Sequence, residues 1–256
     1  MAVFNANMQN GGRPCTVITQ RCGIKSRQLP KPCRWCFCTT RGSQYARGRP
    51  RLTVVRARTI FSYAKITPVF LVDQPRRGWS GRSTVDGAIT ATSYDQFWFA
   101  QFRMGEYPKF FKGIAFSQDA ASLNQFFRQM TPNTSAFDAG VISDGLKALF
   151  ERVGDGVLVT HSQGGIAGWF AGIKAPDNIK GIAAIEPGNF PFPEGEVPPT
   201  ITSAFGDIAP AKVSAADFEK LTKMPIIIYV DDNISDKPSK IQGKDQWRIR
   251  LALARQ

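Results

Sequence analysis

From residue 67 onward, short apolar runs alternate with longer amphipathic segments. Four of the runs are rich in β-branched residues and bounded by turn residues, which is typical of buried parallel strands. They are TPVFLVD (67–73), GVLVTH (156–161), IKGIAAIE (179–186) and MPIIIYVDD (224–232). Helical periodicity, with Ser or Asp near the start, occurs in segments 117–130, 137–153, 162–173 and 214–223. This alternation predicts an α/β fold, in which a parallel sheet is flanked by helices.

The first part of the chain differs in composition from the rest. The first 68 residues contain 13 Lys and Arg, no Asp or Glu, and all five cysteines. The other 188 residues contain 20 basic and 20 acidic residues, so the net charge of +13 comes from this first part. The sequence therefore predicts a basic, Cys-rich leader over 1–66 and a folded domain over 67–256.

Several interpretations of the leader are open. A basic arm could bind nucleic acid through phosphate, but the leader lacks interleaved aromatic residues and a recognition fold, so we do not favour this partner. A transit peptide would be Arg-rich but amphipathic, whereas GGRPC, LPKPC and RGRPR interrupt any helix. Cys33, Cys36 and Cys38 supply one C-x-x-C and a crowded third thiol. We therefore predict no metal site and no cofactor.

The apolar runs are too short for a membrane span. None approaches the ~18 residues that a transmembrane helix needs, and the first 30 residues lack the apolar core of a secretory signal. We expect no transmembrane segment, while the compartment and the oligomeric state stay open.

The segment VTHSQGG, over 159–165, contains the single histidine of the chain. A predicted strand ends at His161, Ser162 follows, and Gly164 and Gly165 open a predicted helix. This strand-turn-helix pattern is typical of a nucleophile elbow, where a serine occupies a tight turn and its neighbours must be small. Thr160 replaces the first glycine of the G-x-S-x-G pattern. This larger side chain requires slightly wider packing where the strand and the helix converge. The simpler alternative is a serine that caps an ordinary helix.

The segments VFLVDQPRRGWSGRS, VTHSQGG and IAAIEPG resemble the α/β-hydrolase fold family, and within it an esterase-like branch whose triad acid is a glutamate. The resemblance covers about residues 67–256. It implies that Ser162 is the nucleophile, that Glu186 is the acid, and that the backbone N–H of Gln163 donates to the oxyanion. Asp231 and Asp232, after the next predicted strand, are the alternative acids, because many proteins of this fold place the acid there.

The general base is the missing member of this site. The resemblance implies a histidine on a loop late in the chain, but His161 is the only histidine among the 256 residues. His161 precedes Ser162, so its side chain should point to the opposite face of the strand and serve packing or the oxyanion side. We therefore expect the base to be absent from this chain, whose last segment, WRIRLALARQ, is a predicted helix.

The family resemblance also suggests an origin for the leader. In the family, an oxyanion loop is expected before VFLVDQP. If the codons of residues 51–68 are shifted by one nucleotide, they can encode a segment similar to the one that the family has there. We therefore expect residues 1–66 to be disordered or translated out of frame, and residues 67–256 to form a partial α/β-hydrolase domain, incomplete at both ends.

Two functions follow from these observations. The first is a serine hydrolase that acts on a small-molecule carboxylic ester or related acyl substrate. The second is a catalytically inactive hydrolase fragment or binding remnant, with a basic leader that could bind nucleic acid. The aromatic-rich segment SYDQFWFAQFRMGEYPKFF, over 93–111, is expected either to line the acyl site or to pack in the core.

Overall fold

A computed structural model describes residues 16–20, 34–39, 70, 72–75, 95–128, 136–230 and 234–256. Only the backbone of the first two ranges is described. The statements below concern these residues.

Nine strands are described. They are β1 (Thr16–Gln20), β2 (Arg34–Thr39), β3 (Gly105–Glu106), β4 (Lys109–Phe110), β5 (Gly156–His161), β6 (Ile179–Ile185), β7 (Pro191–Pro193), β8 (Ala211–Val213) and β9 (Ile226–Val230). The central sheet has the order β1-β9-β6-β5-β2. Its inner pairs are parallel, and β1 adds to β9 in the antiparallel sense. The predicted parallel sheet is thus confirmed, as are the strands β5, β6 and β9.

Six α-helices are described together with a short 3₁₀ turn over Glu194–Glu196. The helices are α1 (Asp95–Gln101), α2 (Ala120–Arg128), α3 (Ala139–Val153), α4 (Gly164–Lys174), α5 (Ala215–Thr222) and α6 (Gln242–Ala254). Helix α4 packs against α3 and α5, and α1 packs against α6. The four helical segments predicted from periodicity, and the predicted C-terminal helix WRIRLALARQ, therefore all contain helices. The ends of these helices differ from the predicted ends by a few residues. None of these helices is long and apolar enough to cross a membrane.

Side-chain caps explain where two of the helices begin. Asp138 accepts a hydrogen bond from Val141 N at 3.0 Å and starts α3. Ser214 accepts one from Asp217 N at 3.1 Å and starts α5. Such caps satisfy backbone N–H groups that have no partner within the first helical turn.

The core joins the helices to β5 and β6. Side chains that are nearly inaccessible to solvent include Ile142, Leu146 and Phe150 of α3, Leu158 of β5, Trp169 of α4, Ile179 and Ile182 of β6, and Ile249 and Leu253 of α6. Burying large apolar side chains contributes about 1.5–3 kcal/mol each relative to leaving them exposed. This packing fixes the carboxyl ends of β5 and β6, where the candidate site lies.

The predicted strand over 67–73 is wrong for the residues that are described. Phe70, Val72 and Asp73 are not in a strand, and they line one side of a pocket against Ile142 and Leu146 of α3. The edge of β5 where such a strand could pair is taken by β2. Of these three residues, Val72 packs against the core, while Phe70 is 36% exposed.

Two strands of the sheet come from the leader. The segments Thr16–Gln20 and Arg34–Thr39 pair with β9 and β5 through backbone hydrogen bonds. Strand edges can recruit an extended segment irrespective of its side-chain pattern, so this pairing does not test the expectation that the leader is disordered or out of frame. Most of the leader, with Cys15, Cys22 and Cys33, lies outside the described residues, so the domain division at residue 66 stays a prediction.

Candidate active site

Ser162 occupies a sharp turn between β5 and α4. Strand β5 ends at His161 and α4 begins at Gly164, and the backbone φ of Ser162 is +52°. A positive φ is uncommon for a residue with a Cβ and indicates a constrained turn. The predicted position of Ser162 at a strand-to-helix turn is confirmed, and this geometry presents the hydroxyl beyond the end of the sheet.

Glu186 occupies a second turn of the same kind. It follows Ile185, the last residue of β6, and its φ is +47°. His161 and Ile185 are register partners in the parallel pair β5–β6, so Ser162 and Glu186 leave the sheet side by side. Glu186 N donates to Tyr229 O at 2.7 Å, which ties this turn to β9 as well. Glu186 is only 4% exposed.

Main-chain hydrogen bonds join the two turns. The carbonyl oxygen of Ser162 accepts from Gly165 N at 2.9 Å and from Gly188 N at 2.8 Å, while Ser162 N donates to Ile185 O at 3.0 Å. The turn at Ser162 is called the nucleophile turn after its candidate nucleophile, and the segment Glu186–Gly188 is called the acid turn after its candidate acid. Both turns are held in one backbone network.

Gly165 allows this close approach. A Cβ at position 165 would lie 2.6 Å from Pro187 Cβ and 2.9 Å from Pro187 Cα. Both distances are shorter than a normal carbon–carbon contact. The first turn of α4 can therefore touch the acid turn only with glycine at position 165.

Thr160, which replaces the first glycine of the elbow pattern, is accommodated by Gly168 of α4. A Cβ at position 168 would lie 2.5 Å from Thr160 Cγ2. The predicted need for wider packing is thus met by a small residue on the helix, one turn beyond the elbow. Thr160 itself is completely buried.

Glu186 is held between two basic side chains. Its Oε1 accepts a hydrogen bond from Arg103 Nη2, and its Oε2 lies 4.0 Å from His161 Nε2. Arg103 comes from the residues directly after α1 and is 8% exposed. His161 therefore neighbours the candidate acid. Its predicted role outside proton transfer is not tested by this contact and stays a prediction.

Sequence reasoning missed Arg103. A signal was present, because Arg103 is the one charged residue in the segment QFWFAQFRMG between Asp95 and Glu106. A lone charge in an apolar, aromatic segment suggests a buried partner. The sequence did not indicate that this partner is Glu186, 83 positions away.

Helix α6 supports both Arg103 and the acid turn. The Arg103 guanidinium lies 4.8 Å from the ring centroid of Trp247, and that of Arg250 lies 4.9 Å from it. Trp247 Nε1 donates to Gln101 O at 2.7 Å, and Arg250 Nε donates to Gly188 O at 3.1 Å. One helix thus contacts the end of α1 and the acid turn at once.

Gln163 occupies the N-cap position of α4, with helical φ and ψ of −56° and −28°. The amino end of a helix favours negative charge, since its backbone N–H groups point outward and the helix dipole is positive there. This location is compatible with a donor to an oxyanion. The alternative acids Asp231 and Asp232 lie outside the described residues.

The aromatic segment serves partly as core. Trp98 and Phe99 are buried, while Phe102 and Tyr107 are 45% and 46% exposed. A pocket of about 370 Å³ is lined by Phe70, Val72, Asp73 and Pro75 on one side and by α3 on the other, and neither Ser162 nor Glu186 lines it. The described residues contain no group of three or more His, Cys, Asp or Glu that could hold a metal ion.

Comparisons with known proteins support the hydrolase fold. Over 45 residues, which are 18% of this chain, the sequence is 47% identical to the probable secreted lipase phiG of Fungal sp. (strain ATCC 74256), and the match spans 12% of that lipase. The structure is similar to that of a bacterial esterase solved at atomic resolution, with a TM-score of 0.62 and 21% identity. That similarity covers 94% of this chain and 70% of the esterase. No family model matches the sequence. The chain has an α/β-hydrolase fold.

Proposed function

We propose that the chain carries the nucleophile, the acid and one oxyanion donor of a serine hydrolase for carboxylic esters or related acyl compounds. Ser162 is the nucleophile, Glu186 the acid, and the N–H of Gln163 the donor. The observation that carries this proposal is the pair of positive-φ turns at the ends of β5 and β6, joined through the carbonyl of Ser162. The lipase and the esterase found by comparison support an ester as the substrate class.

The proposed reaction is acyl transfer to serine followed by hydrolysis. Ser162 Oγ attacks the acyl carbonyl and gives its proton to an imidazole supplied in trans, since we expect the chain to lack its own base, while the carbonyl oxygen becomes an oxyanion near Gln163 N–H. The imidazolium returns the proton to the leaving alkoxide, which departs as the alcohol. Water then attacks the acyl-serine by the same steps and releases the acid. Glu186 orients the imidazole and stabilises its charged form.

Strand spacing favours Glu186 over the two aspartates. Adjacent strands lie about 4.8 Å apart, and β6 is the neighbour of β5, whereas β9 is one strand further away. The turn that follows β6 is therefore closer to Ser162 than the carboxyl end of β9 is. The buried setting and backbone bonds of Glu186 add to this preference.

The base distinguishes the two candidate functions. His161, the only histidine in the sequence, lies at the end of a strand beside Glu186. Because the sequence contains no second histidine, the second candidate is an inactive hydrolase fold. We expect the chain to hydrolyse p-nitrophenyl acetate no faster than its Ser162→Ala variant, because losing one triad member costs a factor of about 10⁴ or more in kcat.

A labelling experiment with a fluorophosphonate probe tests the nucleophile. The chain, Ser162→Ala and the control Ser122→Ala, on the exposed helix α2, are incubated with probe, with and without added imidazole as a replacement base. We expect the native chain and Ser122→Ala to be labelled slowly without imidazole and faster with it. Ser162→Ala should not be labelled under either condition.

Two other results would change the proposal. Rapid labelling or turnover that depends on Ser162 without imidazole would show that His161 or another group is the base. Labelling that never depends on Ser162, with imidazole present, would refute the nucleophile.

A further inference from the structure

We propose that Arg103 is a positioning residue for Glu186, which holds the carboxylate in one orientation and leaves Oε2 as the oxygen offered to an imidazole. This inference rests on the proposed role of Glu186 as the acid of the site. It concerns a residue that contacts the acid from another part of the chain.

The ion pair is almost completely buried. The side chains of Arg103 and Glu186 are 7% and 6% exposed. A carboxylate removed from water is unfavourable unless a positive partner and hydrogen bonds compensate for the lost hydration. Arg103 supplies both, since its guanidinium is charged at all relevant pH values and donates to Oε1. The carboxylate of Glu186 is therefore paired although it is buried at the end of β6.

Arg103 is itself held in place by the backbone. Its φ is +53°, and it lies in the turn that closes α1, where Arg103 N donates to Ala100 O at 2.9 Å and Met104 N to Phe99 O at 3.1 Å. A left-handed residue at a helix end is over-determined by its surroundings. The direction of the Arg103 side chain is thus set by the end of the helix.

The Trp247 ring contacts one face of the Arg103 guanidinium and restricts its orientation. The guanidinium lies 4.8 Å from the centroid of the Trp247 ring, and Trp247 is anchored by its Nε1 bond to Gln101 O. Stacking on an aromatic ring combines attraction to the ring face with restriction of the guanidinium plane. An arginine held in this way restricts the carboxylate that it binds.

The two carboxylate oxygens consequently have different roles. Rotating the carboxylate of Glu186 would break the bond from Arg103 to Oε1. With that oxygen occupied, Oε2 is directed toward the side where the His161 imidazole lies, 4.0 Å away. The geometry therefore assigns Oε2 to the imidazole and Oε1 to Arg103.

The single histidine makes this assignment measurable by NMR. In the 256-residue chain, the imidazole ¹⁵N resonances of His161 and the carboxyl ¹³C resonance of Glu186 are followed against pH. The Glu186 resonance is identified by its absence in Glu186→Gln. Arg103→Met keeps most of the side-chain length and removes the charge. Arg255→Met, which breaks an exposed pair with Asp236, is the control with the same substitution.

The proposal predicts a specific pattern. In Arg103→Met, either Glu186 stays ionised and the His161 titration midpoint rises by about 0.5–1 pH unit, or Glu186 takes up a proton and its ¹³C resonance moves. Glu186→Gln should shift the His161 midpoint downward, because Arg103 is then uncompensated. Arg103→Lys should restore the signals in part, since it keeps the charge and loses the planar donor pair.

The result that overturns the proposal is an Arg103→Met protein whose His161 and Glu186 signals match those of Arg255→Met. A role in packing alone would lower stability and leave both signals in place. If Arg103→Met does not fold, the double variant Arg103→Met/Glu186→Gln is tested instead. It lacks both charges of the Arg103–Glu186 pair, so no carboxylate is left buried without its arginine. We expect the double variant to fold, and its failure would show that Arg103 acts on packing. Neither measurement depends on the reactivity of Ser162, so the nucleophile proposal is tested separately.

Discussion

Thr160 and Gly168 form a complementary pair across the interface of β5 and α4. Thr160 brings a branched side chain to a position where the elbow pattern has glycine, and Gly168 provides the missing space. The Thr160 hydroxyl oxygen is buried and has no hydrogen-bond partner in the described structure. The methyl of Thr160 therefore contributes to packing, while its hydroxyl has an uncompensated desolvation cost.

Substitutions at this pair should change stability in opposite directions. Thr160→Val keeps the shape and removes the buried hydroxyl, so the free energy of unfolding should rise by about 1 kcal/mol. Gly168→Ala should lower it by about 2 kcal/mol, because the new methyl overlaps Thr160 Cγ2. Urea unfolding followed by circular dichroism measures both.

A double variant controls for other effects at position 168. In a Thr160→Ala background the overlapping Cγ2 is gone, so Gly168→Ala should cost much less than it does in the native sequence. An equal cost in both backgrounds would show that the contact with Thr160 is not what requires glycine.

At the scale of elements, the same turn geometry occurs at the carboxyl ends of both β5 and β6. Each strand is followed at once by a non-glycine residue with positive φ, Ser162 or Glu186, and the chain then turns through glycine or proline. The helix α4 closes on the acid turn where Gly165 meets Pro187. The distance between the two turns is thus set by packing as well as by hydrogen bonds.

Gly165→Ala should separate the two turns. The added methyl would meet backbone and ring atoms of Pro187, which cannot rotate away, so we expect a loss of about 2 kcal/mol in stability. Imidazole-assisted labelling of Ser162 should fall as well. Gly195→Ala is the matched control, because a Cβ there meets nothing within 4 Å. Unchanged stability in Gly165→Ala would mean that the turns adjust independently.

The sequence predicts those parts of the fold that depend on local pattern. Strands β5, β6 and β9 and the turn at Ser162 follow from apolar runs, small residues and spacing. Segment 67–73 has the same apolar pattern, but whether such a segment pairs as a strand or packs on a helix depends on which sheet edge is free. Arg103 could not be assigned for a similar reason, since its contact with Glu186 arises only when α1 and α6 assemble.

At the scale of the whole molecule, α6 connects parts of the chain that are distant in sequence. Its Trp247 and Arg250 contact the end of α1 and the acid turn, while its first turn holds the preceding loop through Asp245. Asp245 accepts from Ser239 N at 3.0 Å and from Arg248 Nε at 2.7 Å, and its side chain is 3% exposed. The hydrogen bonds from Arg248 lower the pKa of Asp245 from its ordinary 3.8 to about 2.

Acid should therefore weaken the fold through Asp245. Because the pKa is lowered in the folded state, the stabilisation is fully present above about pH 4 and is lost as the pH falls through about 2. Asp245→Asn should lower stability at pH 7 by about 2–4 kcal/mol, and the difference from native protein should shrink toward pH 2. Unfolding by urea at several pH values measures this.

Asp236→Asn serves as the control, since Asp236 forms an exposed pair with Arg255. Its stability should follow that of the native protein at every pH. A pH-independent gap between Asp245→Asn and the native protein would show that Asp245 acts through shape and not through its charge.

The hydrogen bonds that join the two turns involve main-chain atoms alone. The carbonyl of Ser162 receives both of its hydrogen bonds from backbone amides, and no side chain takes part in them. These hydrogen bonds consequently do not depend on the side-chain atoms of residue 162 beyond Cβ, provided that the residue tolerates a positive φ. Cysteine or aspartate at position 162 would therefore occupy the same place at the end of β5, so a side chain of different chemistry could replace the serine while the surrounding backbone stays as it is.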